Sequence, residues 1–232
     1  MNSKSVRSIK AGVLPLAVAL ALGACGGGGG GGTAVVPSTG APVISATVPL
    51  DSALGALFAS AHTFDRTETD PATRDVLAVK ATYLPGPDFF FEGVSTNTAD
   101  VTRNLSRNNV PFSPRAERTY FQLNPYKPIG TTYPDSSLYV VASNQVPLPA
   151  TGTAGNFGKF YDTITYDSPA KTAILARTSV TWQINADTAT TVNLCVNSVI
   201  TATGLPGTTV KFECYKIDSS GNVVSVAFSI PG

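Results

Sequence analysis

The feature that most constrains this chain is a run of strict alternation near its C-terminal end. Between residues 174 and 184, a mainly apolar set of side chains alternates with a mainly polar set. One set is Ile174, Ala176, Thr178, Val180, Trp182 and Ile184, and the other is Leu175, Arg177, Ser179, Thr181 and Gln183. Because successive side chains of a strand point to opposite faces, this period of two predicts a half-buried β-strand.

Similar patterns predict three further strands, at about residues 190–202, 208–218 and 222–229. Short turns rich in glycine, proline and serine separate them, at residues 204–207 and 219–221. Consecutive strands that are joined by short turns form an antiparallel meander. The C-terminal part of the chain is therefore predicted to be a sheet of neighbouring hairpins.

The N-terminal part contains one predicted helix. Apolar residues recur at helical spacing from Leu50 to Ala61, after a predicted first strand at residues 43–48, and Asp51 is the expected N-cap. A hairpin follows, in which residues 77–83 form a strand and residues 85–88 turn the chain into Phe89, Phe90 and Phe91.

The middle of the chain has weaker patterns. Residues 95–117 show no sustained period and are predicted to be a long loop. Short β-like runs return at residues 119–123 and 138–142, and residues 146–158 are the best internal boundary. With about ten strands and one short N-terminal helix, we expect a mainly β domain, either an antiparallel β-sandwich or an up-and-down barrel, because both hide the edges of the sheet.

The N-terminal 24 residues read as a targeting segment. Lys4, Arg7 and Lys10 precede an apolar stretch from Ala11 to Leu22, which is short for a helix that spans a bilayer. Removal of the segment leaves 13 basic and 15 acidic residues, a formal charge of −2. A weakly acidic chain lacks the clustered positive charge of a nucleic-acid-binding protein, so we exclude nucleic acid as the main partner.

The targeting segment ends in Leu22-Gly23-Ala24-Cys25, which resembles the lipobox of bacterial lipoproteins. The resemblance covers about the first 25 residues; the mature domain resembles no family. It implies cleavage before Cys25, lipid on the Cys25 thiol and anchoring in a membrane, and Gly26 after the cysteine implies an outer-membrane address. The resulting organisation is a signal peptide at 1–24, a lipidated, glycine-rich tether at 25–42 and a β-rich domain at 43–232, with a subdivision near 146–158.

With Cys25 assigned to lipid, Cys195 and Cys214 remain in an oxidising compartment and are expected to form a disulfide. A hairpin that turns at residues 203–206 places the two cysteines directly opposite each other. The alternatives are two free buried thiols or a redox-active pair, although the spacing is not that of a Cys-x-x-Cys motif.

Motifs for catalysis and metal binding are weak. His62 is the only histidine, so a site that needs two imidazoles in one chain is excluded, and a surface or capping role is expected. Ser168 and Lys171 match Ser-x-x-Lys but favour a turn, because the partner motifs of that family of sites are missing. The acidic residues Asp65, Glu68, Asp70 and Asp75 favour a solvated loop over a Ca²⁺ site.

These observations predict no catalytic residue, metal ligand or cofactor. We expect a membrane-anchored envelope lipoprotein with a non-enzymatic β-domain, which binds a small apolar ligand or another envelope component. One phenylalanine of residues 89–91 could line a pocket, although a strand that is packed on both faces or covered by the helix is favoured. The second hypothesis is a hydrolase that uses two carboxylates from distant strands, a pair that spacing in the sequence cannot reveal.

Overall fold

The structure is a computed structural model, and it describes residues 46–69, 73–111 and 114–228. It contains one helix, α1, and fourteen strands, three of which have only two residues. The elements are β1 (Val48–Pro49), α1 (Leu50–Ala59), β2 (His62–Thr69), β3 (Val76–Phe91), β4 (Val94–Arg107), β5 (Val110–Pro111), β6 (Arg115–Gln122), β7 (Lys127–Thr132), β8 (Tyr139–Ser143), β9 (Thr151–Gly152), β10 (Phe157–Tyr166), β11 (Ile174–Ala186), β12 (Thr191–Ala202), β13 (Thr209–Asp218) and β14 (Val223–Phe228).

Twelve strands form one antiparallel sheet. Its order is β2-β3-β4-β6-β7-β8-β10-β11-β12-β13-β14, with β5 beside β4, so strands that follow one another along the sheet also follow one another in sequence, apart from the short β5 and β9. The end strands β2 and β14 lie close together, and the sheet is nearly closed into a barrel. The predicted mainly β fold with one helix is thereby confirmed.

Helix α1 lies in the core at one end of this barrel. Its apolar side chains recur at intervals of three and four residues, which places them on one side of the helix. They pack against the inner faces of β3, β4 and β14. The buried helical residues are Leu50, Ala53, Leu54, Gly55, Leu57 and Phe58. Burial of these side chains supplies hydrophobic stabilisation that a decapeptide helix lacks on its own.

The start of α1 differs from the prediction. Asp51 is not the N-cap; Pro49 holds that position, and the amide of Leu50 donates to the carbonyl of Ala150 at 3.0 Å. The Asp51 carboxylate instead accepts a hydrogen bond from the amide of Tyr126 at 2.6 Å. A tertiary contact has therefore replaced the local cap.

The C-terminal meander is confirmed, with β10 to β14 each paired to the next. Cys195 and Cys214 are direct partners in the β12–β13 ladder and form a disulfide. The connection between the two strands comprises residues 203–208, slightly more than the predicted turn. The register of the ladder is nevertheless the one that the cysteine pair predicted.

The predicted turn at residues 85–88 is wrong, because β3 continues through it to Phe91. One extra residue is inserted between Gly86 and Phe89, which forms a β-bulge, and the hydroxyl of Thr98 donates to the freed carbonyl of Pro87 at 2.8 Å. The chain turns later, at Glu92 and Gly93, which both have positive φ, 52° and 76°. Two such residues suit a tight hairpin turn.

The bulge sends the end of the β3–β4 hairpin across the outside of β6, β7 and β8. There the buried ring of Phe91 stacks on Tyr120 and Tyr139, with centroid distances of 4.1 and 4.9 Å. Glu92 accepts hydrogen bonds from Tyr139 and from Lys171. We call this group of five side chains, Phe91, Glu92, Tyr120, Tyr139 and Lys171, the outer clasp.

The predicted loop at residues 95–117 is also wrong. Most of this segment belongs to β4 and β6, which pair from Asn97 with Phe121 to Arg103 with Arg115. The inner face of β4 carries Ala99, Val101 and Leu105 but has the charged Arg103 between them, so the apolar alternation is interrupted in the middle of the strand. Strand β7 was also missed; it contains Pro128, and proline is uncommon in the middle of a sheet.

Several other expectations concern segment boundaries. Only residues 46–48 of the predicted first strand are described, and β1 is a two-residue bridge to β9. The strands on either side of residues 146–158, β8 and β10, are hydrogen-bonded neighbours in the same sheet. Cys25, the leader and the tether lie outside the described residues. Within the described ranges, no helix is long and apolar enough to cross a membrane.

We predict that the Cys195–Cys214 bond stabilises the fold. Replacing both cysteines with alanine should lower the free energy of unfolding by about 3 kcal/mol, because the bond closes a long loop in the unfolded chain. Urea unfolding followed by circular dichroism measures the change. Reductant should lower the stability of the natural chain to the level of the double variant and leave the variant unchanged; equal stability of the natural chain with and without reductant would contradict the prediction.

Candidate functional site

The burial of the inward-facing side chains changes along the length of the strands. On β11, Val180, Trp182 and Ile184 are buried, whereas Ala176 and Thr178 on the same face are only half-buried. The end that contains α1 and the buried residues is here called the filled half. The other end is called the open half, and its half-buried inner side chains on β8, β10, β11 and β12 are Val140, Ala142, Thr163, Thr178, Ser198 and Ile200.

Side-chain size accounts for this difference. The filled half contains large rings and leucines, and Phe58 of α1 stacks on Tyr126 at a centroid distance of 5.4 Å. The open half has mainly small or β-branched side chains on β8, β10, β11 and β12, which reach less far inward. Solvent therefore reaches the inner face at this end, as it reaches the interior of barrels that hold small ligands.

A group of charged side chains lies between the two halves. Arg103 of β4 forms ion pairs with Glu117 of β6 and with Glu213 of β13, the latter with distances of 3.0 and 3.2 Å to the two carboxylate oxygens. Tyr83 of β3 donates its hydroxyl to Glu213 at 3.0 Å. Inward-facing side chains of β6 and β13, two strands that are distant in sequence, thus both bind the guanidinium group of Arg103.

A second arginine extends the group toward the open half. A terminal nitrogen of Arg115 lies 3.0 Å from Glu117, and the same nitrogen donates to the hydroxyl of Tyr133 at 2.6 Å. The Arg115 guanidinium also lies over the Tyr133 ring, 5.0 Å from its centroid. The ring of Phe228 covers Arg103 at the same distance, and the buried Nε of Arg103 has no hydrogen-bond partner.

The charges of this group stabilise one another. Burial alone would raise the pKa of Glu117, but Arg103 and Arg115 outweigh burial and lower it. Burial would lower the pKa of Arg103, whereas Glu117 and Glu213 raise it well above its usual value. Burial and the nearby Glu213 raise the pKa of Tyr83, so its hydroxyl keeps its proton. Glu117 is consequently an ionised carboxylate at neutral pH and a poor proton donor.

Lys211 of β13 is a further cation on this inner face. It lies two residues from Glu213 toward the open half and pairs in register with Ser198. Burial and the charge of Arg115 lower its pKa, and Glu117 opposes them. Two positive groups therefore share the space beyond the Arg103 ion pairs.

The residues that the sequence singled out lie elsewhere. Nε2 of His62 is 3.4 Å from the carbonyl of Ala56 near the end of α1, as a capping role requires. Ser168 donates to Asp167, while the ammonium of Lys171 binds Glu92, so the two do not act on each other. The amide of Lys171 donates to the carbonyl of Ser168, which makes this segment a turn.

Two of the acidic residues have partners within the described part of the chain. Asp75 binds Asn108 and lies 3.7 Å from Arg107, and Glu68 pairs with Arg66. Asp70 lies outside the described residues. In the part of the chain that the structure describes, no three side chains of the His, Cys, Asp or Glu type are arranged to hold a metal ion.

The three phenylalanines differ in environment. Phe91 is buried in the outer clasp, whereas Phe89 and Phe90 are 50% and 70% exposed. None of the three lines the open half, because they pair with residues 94–96 of β4, which lie beyond the core residues Ala99 and Val101 at the other end of the strand. The exposure of Phe89 and Phe90 shows that the expected packing of this run on both faces is wrong. The expectation that one of these rings lines a pocket stays a prediction.

Sequence reasoning missed the whole charged group. One signal was available: Arg115 and Glu117 stand at alternate positions before Thr119 and Phe121, a period of two with charges in the inner set. Charged residues are normally assigned to the outer face of a strand, so this pattern was interpreted as a loop.

Comparisons with known proteins leave the site to be interpreted from its own geometry. No protein-family model matches the chain, and no curated protein or solved structure matches it.

We predict that Glu117→Gln destabilises the fold in a pH-dependent way. At pH 7 the free energy of unfolding should fall by about 3 kcal/mol, because Arg103 and Arg115 lose a buried partner. The folded-state pKa of Glu117 lies below its unfolded value, so its contribution is present above the ordinary glutamate pKa of 4.5 and is lost as the pH falls through the folded pKa. The difference between the two proteins should therefore shrink in acid.

The matched control is Asp100→Asn. Asp100 also binds an arginine through both oxygens, Arg118 at 2.7 and 2.9 Å, but the two side chains are 44% and 39% exposed, far more than those of Arg103 and Glu117. The control should lose less than about 1 kcal/mol. Equal losses in the two variants, or a Glu117→Gln effect that grows in acid, would contradict the assignment.

Proposed function

We propose that this protein is a lipid-anchored envelope lipoprotein whose β-domain holds a small molecule in the open half of the barrel and performs no catalysis. The observation that carries the proposal is the change along one face of β11, from the buried Val180 to the half-buried Thr178 and Ala176. The filled half provides the stability of the fold. The open half therefore does not need to be packed and is available for a ligand.

The charged group supports binding over hydrolysis. Glu117 and Glu213 do meet inside the barrel, as a pair of catalytic carboxylates would, but Arg103 lies between them and binds both. Glycoside hydrolysis of the usual kind needs one carboxylic acid that keeps its proton. The lowered pKa of Glu117 removes it from that role.

The anchoring part of the proposal rests on the sequence motif at Cys25. A lipid-bearing N-terminal cysteine followed by a run of glycines would hold the domain at a membrane by a flexible connection. Each buried methylene of an acyl chain contributes about 0.8 kcal/mol, and stable anchoring takes more than one chain. The Cys195–Cys214 disulfide suits the oxidising side of such a membrane.

We predict that a large side chain in the open half blocks the ligand. Thr178→Phe should lower binding of the neutral fluorescent probe N-phenyl-1-naphthylamine at least about tenfold, because the ring occupies the space of the ligand. Thr181→Phe is the control, since Thr181 lies on the exposed outer face of the same strand. Native mass spectrometry of the purified chain tests in parallel whether a small molecule copurifies.

Two outcomes would count against a ligand-binding function. One is a protein that is empty in native mass spectrometry and does not bind the probe in a saturable way. The other is equal binding by the Thr178→Phe and Thr181→Phe variants, which would place the probe on the outside. Thermal unfolding of both variants verifies that each is folded during the measurement.

We predict that Cys25 carries the lipid. In a bacterial host that processes lipoproteins, the Cys25→Ser chain should lose incorporation of labelled fatty acid and leave the membrane fraction, or remain as an uncleaved precursor. The Cys214→Ser chain is the control and should keep the label. Labelled fatty acid on the Cys25→Ser chain would refute the anchor.

A further inference from the structure

Two cations, Arg115 and Lys211, lie beside the ion pairs of Arg103 and occupy equivalent positions on their strands. Arg103 holds Glu117 of β6 and Glu213 of β13 together inside the barrel. On each of those strands, the next inward side chain toward the open half is positive: Arg115 two residues before Glu117, and Lys211 two residues before Glu213. Two residues of a strand extend roughly 7 Å, so each cation lies about that far along its strand from the carboxylate that Arg103 binds.

Neither cation is fully neutralised. Arg115 uses one terminal nitrogen for Glu117 and Tyr133, and its side chain remains 41% exposed. Lys211 forms no ion pair within the described residues. The charged side chains inside the barrel are therefore three cations, Arg103, Arg115 and Lys211, and two carboxylates, those of Glu117 and Glu213. Together they have an excess of one positive charge. Burial and Arg115 both lower the pKa of Lys211, and an anion bound there would oppose that effect.

The surroundings of the excess charge are only partly polar. The inner side chains of β8, β10, β11 and β12 in the open half are aliphatic or carry single hydroxyl groups. Val140, Ala142 and Ile200 offer apolar contact, and Thr163 and Thr178 offer both methyl and hydroxyl groups. A ligand that satisfies the whole surface would have one charged end and a longer, mainly apolar body.

We propose that the ligand of the open half is an anionic amphiphile, with its charged group bound between Arg115 and Lys211 and its apolar body along β8, β10, β11 and β12. This inference rests on the proposed ligand-binding function and adds the chemical class of the ligand. Carboxylates and phosphates both supply the oxygen acceptors that arginine and lysine bind.

The test compares two probes that differ by one anionic group. 1-Anilinonaphthalene-8-sulfonate is N-phenyl-1-naphthylamine with a sulfonate, and the fluorescence of both increases in an apolar site. The full chain should bind the sulfonate more tightly than the neutral probe. Lys211→Met should weaken binding of the sulfonate about tenfold and leave binding of the neutral probe unchanged, because a charge-assisted contact is lost while the apolar length is kept.

Two control variants separate charge from structure. Lys211→Arg keeps the positive charge and should preserve sulfonate binding. Lys80→Met removes a lysine from the exposed outer face of β3, where Lys80 pairs in register with Asp65, and should change nothing. Dodecanoate and dodecyl phosphate should displace the bound sulfonate at lower concentrations than dodecanol does; the stronger of the two anionic competitors identifies the head group.

The outcomes distinguish this inference from the function on which it rests. Saturable binding of both probes with equal affinity, unaffected by Lys211→Met, would overturn the anionic ligand and leave a neutral apolar ligand. Binding of the sulfonate that Lys80→Met weakens as much as Lys211→Met does would also overturn it, since the outer surface would then be responsible. If neither probe binds, both the inference and the ligand-binding function fail.

Discussion

The sheet has a seam between its first and last strands, and closing that seam is the central constraint on this fold. Strands β2 and β14 approach each other but share no ladder in the described part of the chain. Unpaired sheet edges are a hazard, so other contacts must hold them together. Arg103 and Tyr83 near one edge both bind Glu213 near the other, and Phe228 of β14 covers Arg103.

Helix α1 also connects the two sides of this seam, through apolar contacts. It packs on β3 and β4 on one side and on β14 on the other, so its apolar surface is shared between the two ends of the sheet. The polar contacts through Arg103 and the apolar contacts through α1 are thus complementary. One uses the geometry of a guanidinium group, and the other uses hydrophobic burial. A barrel that is held in this way can leave its far end unfilled.

The sequence predicted the fold best where each strand has one apolar and one polar face. Strands β11 and β12 satisfy that condition, and the position of Cys195 and Cys214 fixed the register of the β12–β13 hairpin correctly. Prediction failed where the inner face is charged, because Arg103, Arg115 and Glu117 imitate a solvent-exposed loop. It also failed at the β3 bulge, where Pro85 to Asp88 resemble a turn but the threonine hydroxyls of β4 keep the strand paired. The candidate site could not be predicted, since its members come from strands distant in sequence and only the closed sheet brings them together.

The position of α1 has a consequence for the order in which the molecule assembles. A meander lets each strand pair with the one made just before it, so most of the sheet can form by contacts that are short in sequence. The helix is different, because it is near the start of the chain and one of its packing partners, β14, is the last strand. Strands β3 and β4 can cover one part of its apolar surface early, but the part that contacts β14 is covered only when nearly the whole chain is present. Contacts between early and late segments have the largest loop-closure cost, so we expect this last contact to form together with closure of the barrel.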